Sequence, residues 1–512
     1  MNQGHCRIKT AVKNSAVLPV MKAFQIISVL IIITSCQNRG NSDYFISYIQ
    51  SDPARLDPFY STDVVSGRLL SKLFNGLFKI NRNGRVITDI AEKYSFDGII
   101  LNLSLKKNVV FHNGTELTVE DVIFSFERIM YSKNPTSPRR WVLENIKSFK
   151  ASGKYKLTIR LKKPSSAFLY VLTMPNCYII SKDDYEKNGK VTGSGPFILS
   201  EWESDHRIVL RKNPGYFDEK AEVAGIVYKI ISEDLTARFE FMNKTLDYFE
   251  LPYLSRMNIK KDKISILDIP ELSVHYIAMN NLKEPFNNRE FRRALNMAID
   301  RDRIMKSLFK DRFIKATGPI PPMIGDYISK NKGISYDPEA AEKIIGNMGL
   351  KGKEIVLFIK SDHQVSLICQ MIQYYIRKTG VNIKINEMEW SALKASVLKG
   401  NFDMAYFTWH ADYPEAENFL FPLFYSKNQG AGGNRSYYSN PTADNLLLKA
   451  ESTADDKKRF AIYNKIAGII VDDAPWIFLW YGDKRIALSE RVKKFVSYPT
   501  YNGMKGNEIE LD

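Results

Sequence analysis

Residues 105–128 read LKKNVVFHNGTELTVEDVIFSFER. The apolar Val109, Val110 and Phe111 run into His112-Asn113-Gly114-Thr115, where Asn-Gly supplies the positive φ of a tight turn. Thr118 followed by Asp121 is an N-cap pattern, close to a capping box with Asp in place of Glu. The helix after it sets Val122, Ile123, Phe126, Ile129 and Met130 on one face at helical spacing. Ahead of the turn, Leu101–Leu105 reads as a strand. One short stretch therefore passes from strand to turn to capped helix.

The same grammar continues in both directions. Upstream, Tyr44–Ile49 reads as a first strand, Leu56-Asp57-Pro58 as a turn and Val64–Leu73 as a helix. Downstream, Leu157–Leu161 and Ile208–Arg211 read as strands, and Asn287–Lys310 as one helix with Phe291, Leu295, Ala298 and Ile299 inward. Asp337-Pro338 is an N-cap with Pro at the first helical position, and Gly349 can close that helix. Then come strand Ile355–Ile359, helix Val365–Lys378 and strand Val381–Ile385. Strand Met404–Thr408, helices near Thr442–Glu451 and Asp455–Val471, and strand Ile477–Tyr481 complete the pattern. Alternation of this kind implies α/β lobes with mixed sheets.

The 512 residues suit a chain of several lobes, and 44% hydrophobic with 25% charged residues is ordinary globular composition. The net charge is +16, and four of the cations (Arg7, Lys9, Lys13, Lys22) precede residue 36. The others are interleaved with Asp and Glu, with no basic helix or finger motif, so the charge reads as solvated surface and not as a nucleic-acid footprint. The six histidines, at 5, 112, 206, 275, 363 and 410, lack zinc-ligand spacing, and there is no Cys-x-x-Cys. No phosphate-cradling glycine loop or nucleophile elbow appears. No catalytic residue, cofactor or metal is expected.

Lys22 is followed by an apolar run ending Ile33-Thr34-Ser35-Cys36. A short cationic start and about a dozen apolar residues make a secretory signal, too short for a stable span. Its end resembles a bacterial lipobox, which implies cleavage after residue 35 and acylation of Cys36. Acyl chains hold a domain at a membrane through ~0.8 kcal/mol per buried CH₂. Met21-Lys22 can open this signal alone, so translation starts at Met21 or residues 1–20 are a long n-region. Residues 36–42 read as a polar tether. Of the remaining cysteines, Cys177 and Cys369 are remote in sequence, and a disulfide between them is not favoured.

The stretch at 105–128 closely resembles the strand–turn–helix segment of the peptide-binding proteins of ABC importers, the extracellular solute-binding proteins of family 5. Further resembling blocks follow in order: LDPFYSTDVVSGRLLSKLFNGLF at 56–78, GSGPFIL at 193–199, RIVLRKNPGYF at 207–217 and FNNREFRRALNMAIDRDRI at 286–304. TGVNIKINEMEW at 379–390, DMAYFTWHADYPEAENFLFPLF at 403–424 and DDAPWIFLWY at 472–481 complete the set. The resemblance implies a periplasmic-binding-protein-like α/β fold, with two α/β lobes joined by two crossover strands plus an extra α/β lobe. Lobe I would comprise 43–74, 190–276 and 481–512, lobe II 75–189 and lobe III 277–480. A monomer on the outer face of a bacterial membrane would enclose a peptide between lobes I and III and present it to permease subunits.

The resemblance also implies roles for particular residues. Asp412 matches the Asp that pairs with a peptide's α-ammonium, and Trp409 and Trp390 match aromatics lining the cavity. A capping Asp and two core tryptophans are the alternatives. Val64, with Asp63 beside it, matches a segment that pairs with the ligand backbone like an added strand; ordinary helix packing is its alternative. Where oligopeptide binders carry an Arg for the peptide carboxylate, this chain has Tyr406. Their His aligns with Gln364, next to His363, and the cation nearest the Arg of dipeptide binders is Lys360. The amino end of the site is thus kept and the carboxyl end rewritten. Two other readings stay open. One is the same scaffold with a nickel chelate, haem or sugar as ligand; the other is a surface lipoprotein acting as sensor or adhesin.

Overall fold

The computed structural model describes residues 43–512, apart from 54, 253–263, 310–312, 325 and 431–432. The signal, the lipobox at Cys36 and the tether lie outside the described residues.

The first sheet runs in the order Tyr44–Ile49, Gly225–Ile230, Arg207–Lys212, Phe197–Glu203. Its first pair is parallel and the others antiparallel. Alternate residues of its strands, among them Phe45, Ile208, Leu210 and Ile226, bury with Leu69, Leu70 and Leu73 of the helix Val64–Leu73. Tyr178 and Ile180 join this core.

A second, antiparallel sheet runs in the order Ala91–Phe96, Ile100–Leu105, Lys156–Leu161, Ile146–Ala151. Against it packs the helix Val119–Tyr131, opened by the Thr118–Asp121 capping box. Val122, Phe126, Ile129 and Met130 are buried as the spacing predicts, and Ile123 is half-buried. Gly114 takes φ +84°, which is why the turn needs glycine there. Phe59 reaches across into this core.

The third sheet is the largest, with Tyr248–Glu250, Trp476–Leu488, Ser265–Met279, Met404–His410, Glu354–Lys360 and Asn382–Met388 side by side. It buries both faces. Val274, Tyr276, Ala405, Phe407, Trp476 and Phe478 enter one core, while Ile277, Met279, Met404, Ile477 and Leu479 enter the other. Two covered faces explain why 476–481 reads as an unbroken apolar run, without the alternation of a half-solvated strand.

Two of these strands are much longer than the sequence suggests. Ser265–Met279 and Trp476–Leu488 pair antiparallel, with a register break between Pro270 and Val274. On one side of the break Ser273–Met279 pairs with Met404–His410 and its side chains enter the two cores of the large sheet. On the other, Ile486–Leu488 pair with Tyr248–Glu250 and bury in the first core. These are the two strands that cross between lobes.

One expected element divides. The helix expected over 287–310 is two, Arg289–Met297 and Arg301–Phe309. Asp300 accepts from the Arg303 amide at 2.9 Å, and this capping bond restarts the helix. Phe291, Leu295, Ala298 and Ile299 are nonetheless buried. Cys177 and Cys369 are free thiols buried in separate cores, and burial pushes both thiol pKa values up.

Asp57 and Arg128 tie the first turn to the capped helix. Arg128 donates to both carboxylate oxygens, at 2.8 and 2.6 Å, and each side chain is only 12% exposed. Phe59 and Tyr185 lie 4.6 and 4.5 Å from the guanidinium. Removing one partner of a buried pair strands the other charge and costs about 3–5 kcal/mol. Arg128→Met should therefore lower the first urea transition by that amount. A loss under ~1 kcal/mol would show that solvent already screens the pair.

Candidate functional site

The strands Glu354–Lys360, Asn382–Met388 and Met404–His410 run parallel, so their carboxyl ends lie along one edge of the large sheet. Ligands of α/β sheets bind beyond such edges. That edge gathers Lys360 and His363 from the first strand's end, Trp390 from the second, and Trp409 and Asp412 from the third.

Asp412 is 6% exposed. Its amide donates to Asn418 Oδ1 at 3.0 Å, and the Trp409 Nε1 donates to the same oxygen at 3.4 Å. Asn418 thus holds the strand end and the loop together. The Asp412 carboxylate accepts from the Tyr501 hydroxyl at 3.2 Å, and Arg139 Nη1 approaches at 3.5 Å. Burial and the Asp412 charge push the Tyr501 hydroxyl pKa well above the ordinary tyrosine value. Asp412 caps no helix here; it meets residues from two distant parts of the chain. Tyr501 packs against Gly67 of the helix Val64–Leu73, where a Cβ would stand 2.4 Å from its ring. Only glycine leaves room for that approach.

The aromatics differ in setting. Trp409 is half-buried against the core that holds Phe407. Trp390, 36% exposed, opens the helix Trp390–Leu398 and stands edge-on to Phe407 with ring centres 6.1 Å apart. Tyr406 points to the opposite face of the sheet. It is buried, with its hydroxyl 2.8 Å from His275 Nδ1, and Thr408 Oγ1 lies 3.0 Å from the same nitrogen. Burial drives the His275 pKa down to about 3, so this ring is neutral and brings no cation to Tyr406.

Asp63 is the N-cap of its helix, accepting from the Ser66 amide and hydroxyl, both at 2.8 Å. Val64 is already helical, so extended backbone suited to strand-like pairing ends at Asp63, whose φ and ψ are −135° and 160°. Lys360 is exposed, with Nζ 3.9 Å from Asp362. His363 is exposed in the first turn of the helix His363–Arg377, capped by Asp362.

Sequence reading missed the opposite wall. The helix Val64–Leu73 presents Arg68 toward Tyr48, Tyr228, Tyr248 and Glu250. Glu250 accepts Lys484 at 2.6 Å. Burial pushes the Glu250 carboxyl up, but Lys484, Arg68 and His410 more than offset it and hold it below the usual glutamate range. Arg139 and Tyr501 were missed too, because no local pattern links positions so far apart to Asp412. Among the described residues, no group of His, Cys, Asp and Glu could hold a metal ion, and no helix is long and apolar enough to cross a membrane.

Residues 85–431 match the family model described as bacterial extracellular solute-binding proteins, family 5, middle. The chain belongs to that family. Among relatives of this family 5 protein is the probable D,D-dipeptide-binding periplasmic protein of Escherichia coli K12. It is 27% identical over 469 residues, which is 88% of this chain and 90% of that one. The glutathione-binding protein of the same strain is 28% identical over 447 residues, 84% of this chain and 87% of its own. The Helicobacter pylori ABC transporter-associated periplasmic binding protein DppA, solved with the peptide STSA, superposes with a TM-score of 0.82. It is 27% identical, with 93% of this chain and all of that chain covered.

The loop of this family 5 protein that carries Asp412 contains a titrating acid. Burial drives the Glu417 carboxyl up to about 8, the Glu415 charge adds to that, and the Tyr413 hydroxyl, donating at 2.5 Å, opposes it. The unfolded chain loses this proton near the usual ~4.3. A raised acid stabilises fully below the unfolded value and loses that contribution as pH rises through the folded one. The thermal midpoint should thus fall between about pH 5 and about pH 9, and fall less in Glu417→Gln. Equal falls in the two proteins would assign the loss to other groups.

Proposed function

We propose that this protein captures peptides between lobes I and III outside a bacterial cytoplasmic membrane and hands them to the permease of an ABC importer. The observation that carries the reading is Asp412: a buried carboxylate at the carboxyl edge of a sheet, with Trp409 on its own strand end and Trp390 at the end of the strand two places along the same edge. A charge there meets an ammonium away from bulk water. The peptide names of two relatives, and the peptide bound to the third, support the same reading. Trp409 and Trp390 line the site, and the extended residues up to Asp63 and Val64 meet the ligand backbone. Tyr406, Lys360 and His363 border the carboxyl end.

We take lobe I as 43–74 with 190–276 and 481–512, lobe II as 75–189 and lobe III as 277–480. They turn about the two crossover strands, for which the register break between Pro270 and Val274 supplies a bending point. The protein works as a binder and not as an enzyme, a monomer held to the membrane by acylation of Cys36.

Losing one partner of an enclosed charge pair costs ~2–5 kcal/mol. At ~1.4 kcal/mol per decade, Asp412→Asn should weaken peptide binding about thirtyfold or more. N-acetylating the peptide should do the same to the wild type and add little in the mutant, because both changes break one contact. Calorimetry on the four combinations decides it: additive losses, or an undiminished mutant, would make Asp412 a structural residue.

The anchor has its own test. Cys36→Ser should leave the protein unprocessed or released from membranes. Unchanged retention with unchanged mass would reject acylation.

A further inference from the structure

The geometry points to Arg68 as the cation that receives a carboxylate of the bound peptide, from the opposite wall of the cleft to the one where the resemblance places it. This rests on the peptide reading above. Three observations lead to it.

The first is position. Arg68 stands one turn after Val64, and residues four apart share a helix face. The neighbouring Gly67 touches Tyr501, which holds Asp412. The helix carrying Arg68 therefore belongs to the wall that meets the proposed ammonium site.

The second is unmet bonding. The Arg68 side chain is only partly exposed, yet among the described residues its guanidinium makes no hydrogen bond and no ion pair. Five N–H donors in a planar fork are matched best by a carboxylate, two bonds at once. The carboxylate whose charge reaches Arg68 is Glu250, and Lys484 already holds it at 2.6 Å. Around the fork stand Tyr48, Tyr228 and Tyr248, all buried, which limit the directions from which an anion can arrive.

The third is the state of the rivals. Tyr406 is engaged beside a neutral His275 on the far face of its sheet. Lys360 is 52% exposed and leans toward Asp362, so it is screened and partly neutralised. His363 is exposed.

The ligand class follows: peptides with a free carboxylate that reaches across the cleft while the α-ammonium rests on Asp412. The probes are the tetrapeptide Ser-Thr-Ser-Ala and alanine peptides of two to five residues, each as free acid and as C-terminal amide. They are titrated by calorimetry into wild type, Arg68→Gln, Arg68→Lys and Lys360→Ala, after circular dichroism confirms folding. In the wild type, amidation should weaken the best-fitting peptide tenfold or more. Arg68→Gln should weaken the acid by a similar factor and leave the amide nearly unchanged. Arg68→Lys should keep part of the discrimination, and Lys360→Ala all of it. Equal losses for acid and amide in Arg68→Gln would overturn the assignment while the peptide reading stands. So would discrimination that vanishes in Lys360→Ala. A wild type that binds none of these peptides, acid or amide, overturns both.

Discussion

Two strands hydrogen-bonded to each other along their length, yet buried in different cores at their two ends, hold this architecture together. Ser265–Met279 and Trp476–Leu488 give Val274, Tyr276, Trp476 and Phe478 to one core and Ile486–Leu488 to another. Each end is fixed by apolar burial, while in the middle the ladder is interrupted between Pro270 and Val274 and the strands are held there by Leu272 on one core and by the Lys484–Glu250 and Arg485–Asp268 ion pairs. On the proposed reading, such a joint would resist stretching and sideways slip but yield to bending, and the two walls would meet in one register at each closure.

The polar chemistry of the cleft is laid out around that axis. On the large sheet, Asn418 locks Trp409 and the Asp412 amide, so the carboxylate is aimed before any ligand arrives. Across from it, Tyr501 and Arg139 approach from other parts of the chain and already share the Asp412 oxygens. On the proposed reading, a peptide ammonium would have to join or displace these contacts, and affinity would be a difference between two occupied states.

Much of this was legible in the sequence where short-range physics decides. The Thr118–Asp121 capping box, Gly114 at positive φ, the Asp337-Pro338 helix start and the inward faces of 122–130 depend on residues within a turn of one another. Asp412, Trp409 and Trp390 were reachable only through resemblance, since nothing in a loop Asp foretells burial. What stayed hidden is long-range. The full length of the crossover strands is invisible because 265–269 is only partly buried and interrupted by Asp268, unlike the run at 476–481. Nothing in the sequence around Arg68 sets it apart from other helical cations. Its setting depends on Tyr48, Tyr228 and Glu250, which only the sheet order brings near. The helix expected over 287–310 failed for a local reason: Asp300 can continue a helix or cap a new one, and spacing alone does not choose.

The carboxyl edge of the large sheet is assembled from three strand ends that are far apart in the chain, near 360, 390 and 412. Each end sits on its own strand and can change without disturbing the hydrogen-bond ladder behind it. Such an edge can be revised piecemeal: on the proposed reading, the end that meets an ammonium would stay constant while the end that meets the rest of the ligand drifts. A transporter lineage built on this scaffold gains new cargo through single-segment changes, with no intermediate in which the whole site must be remade.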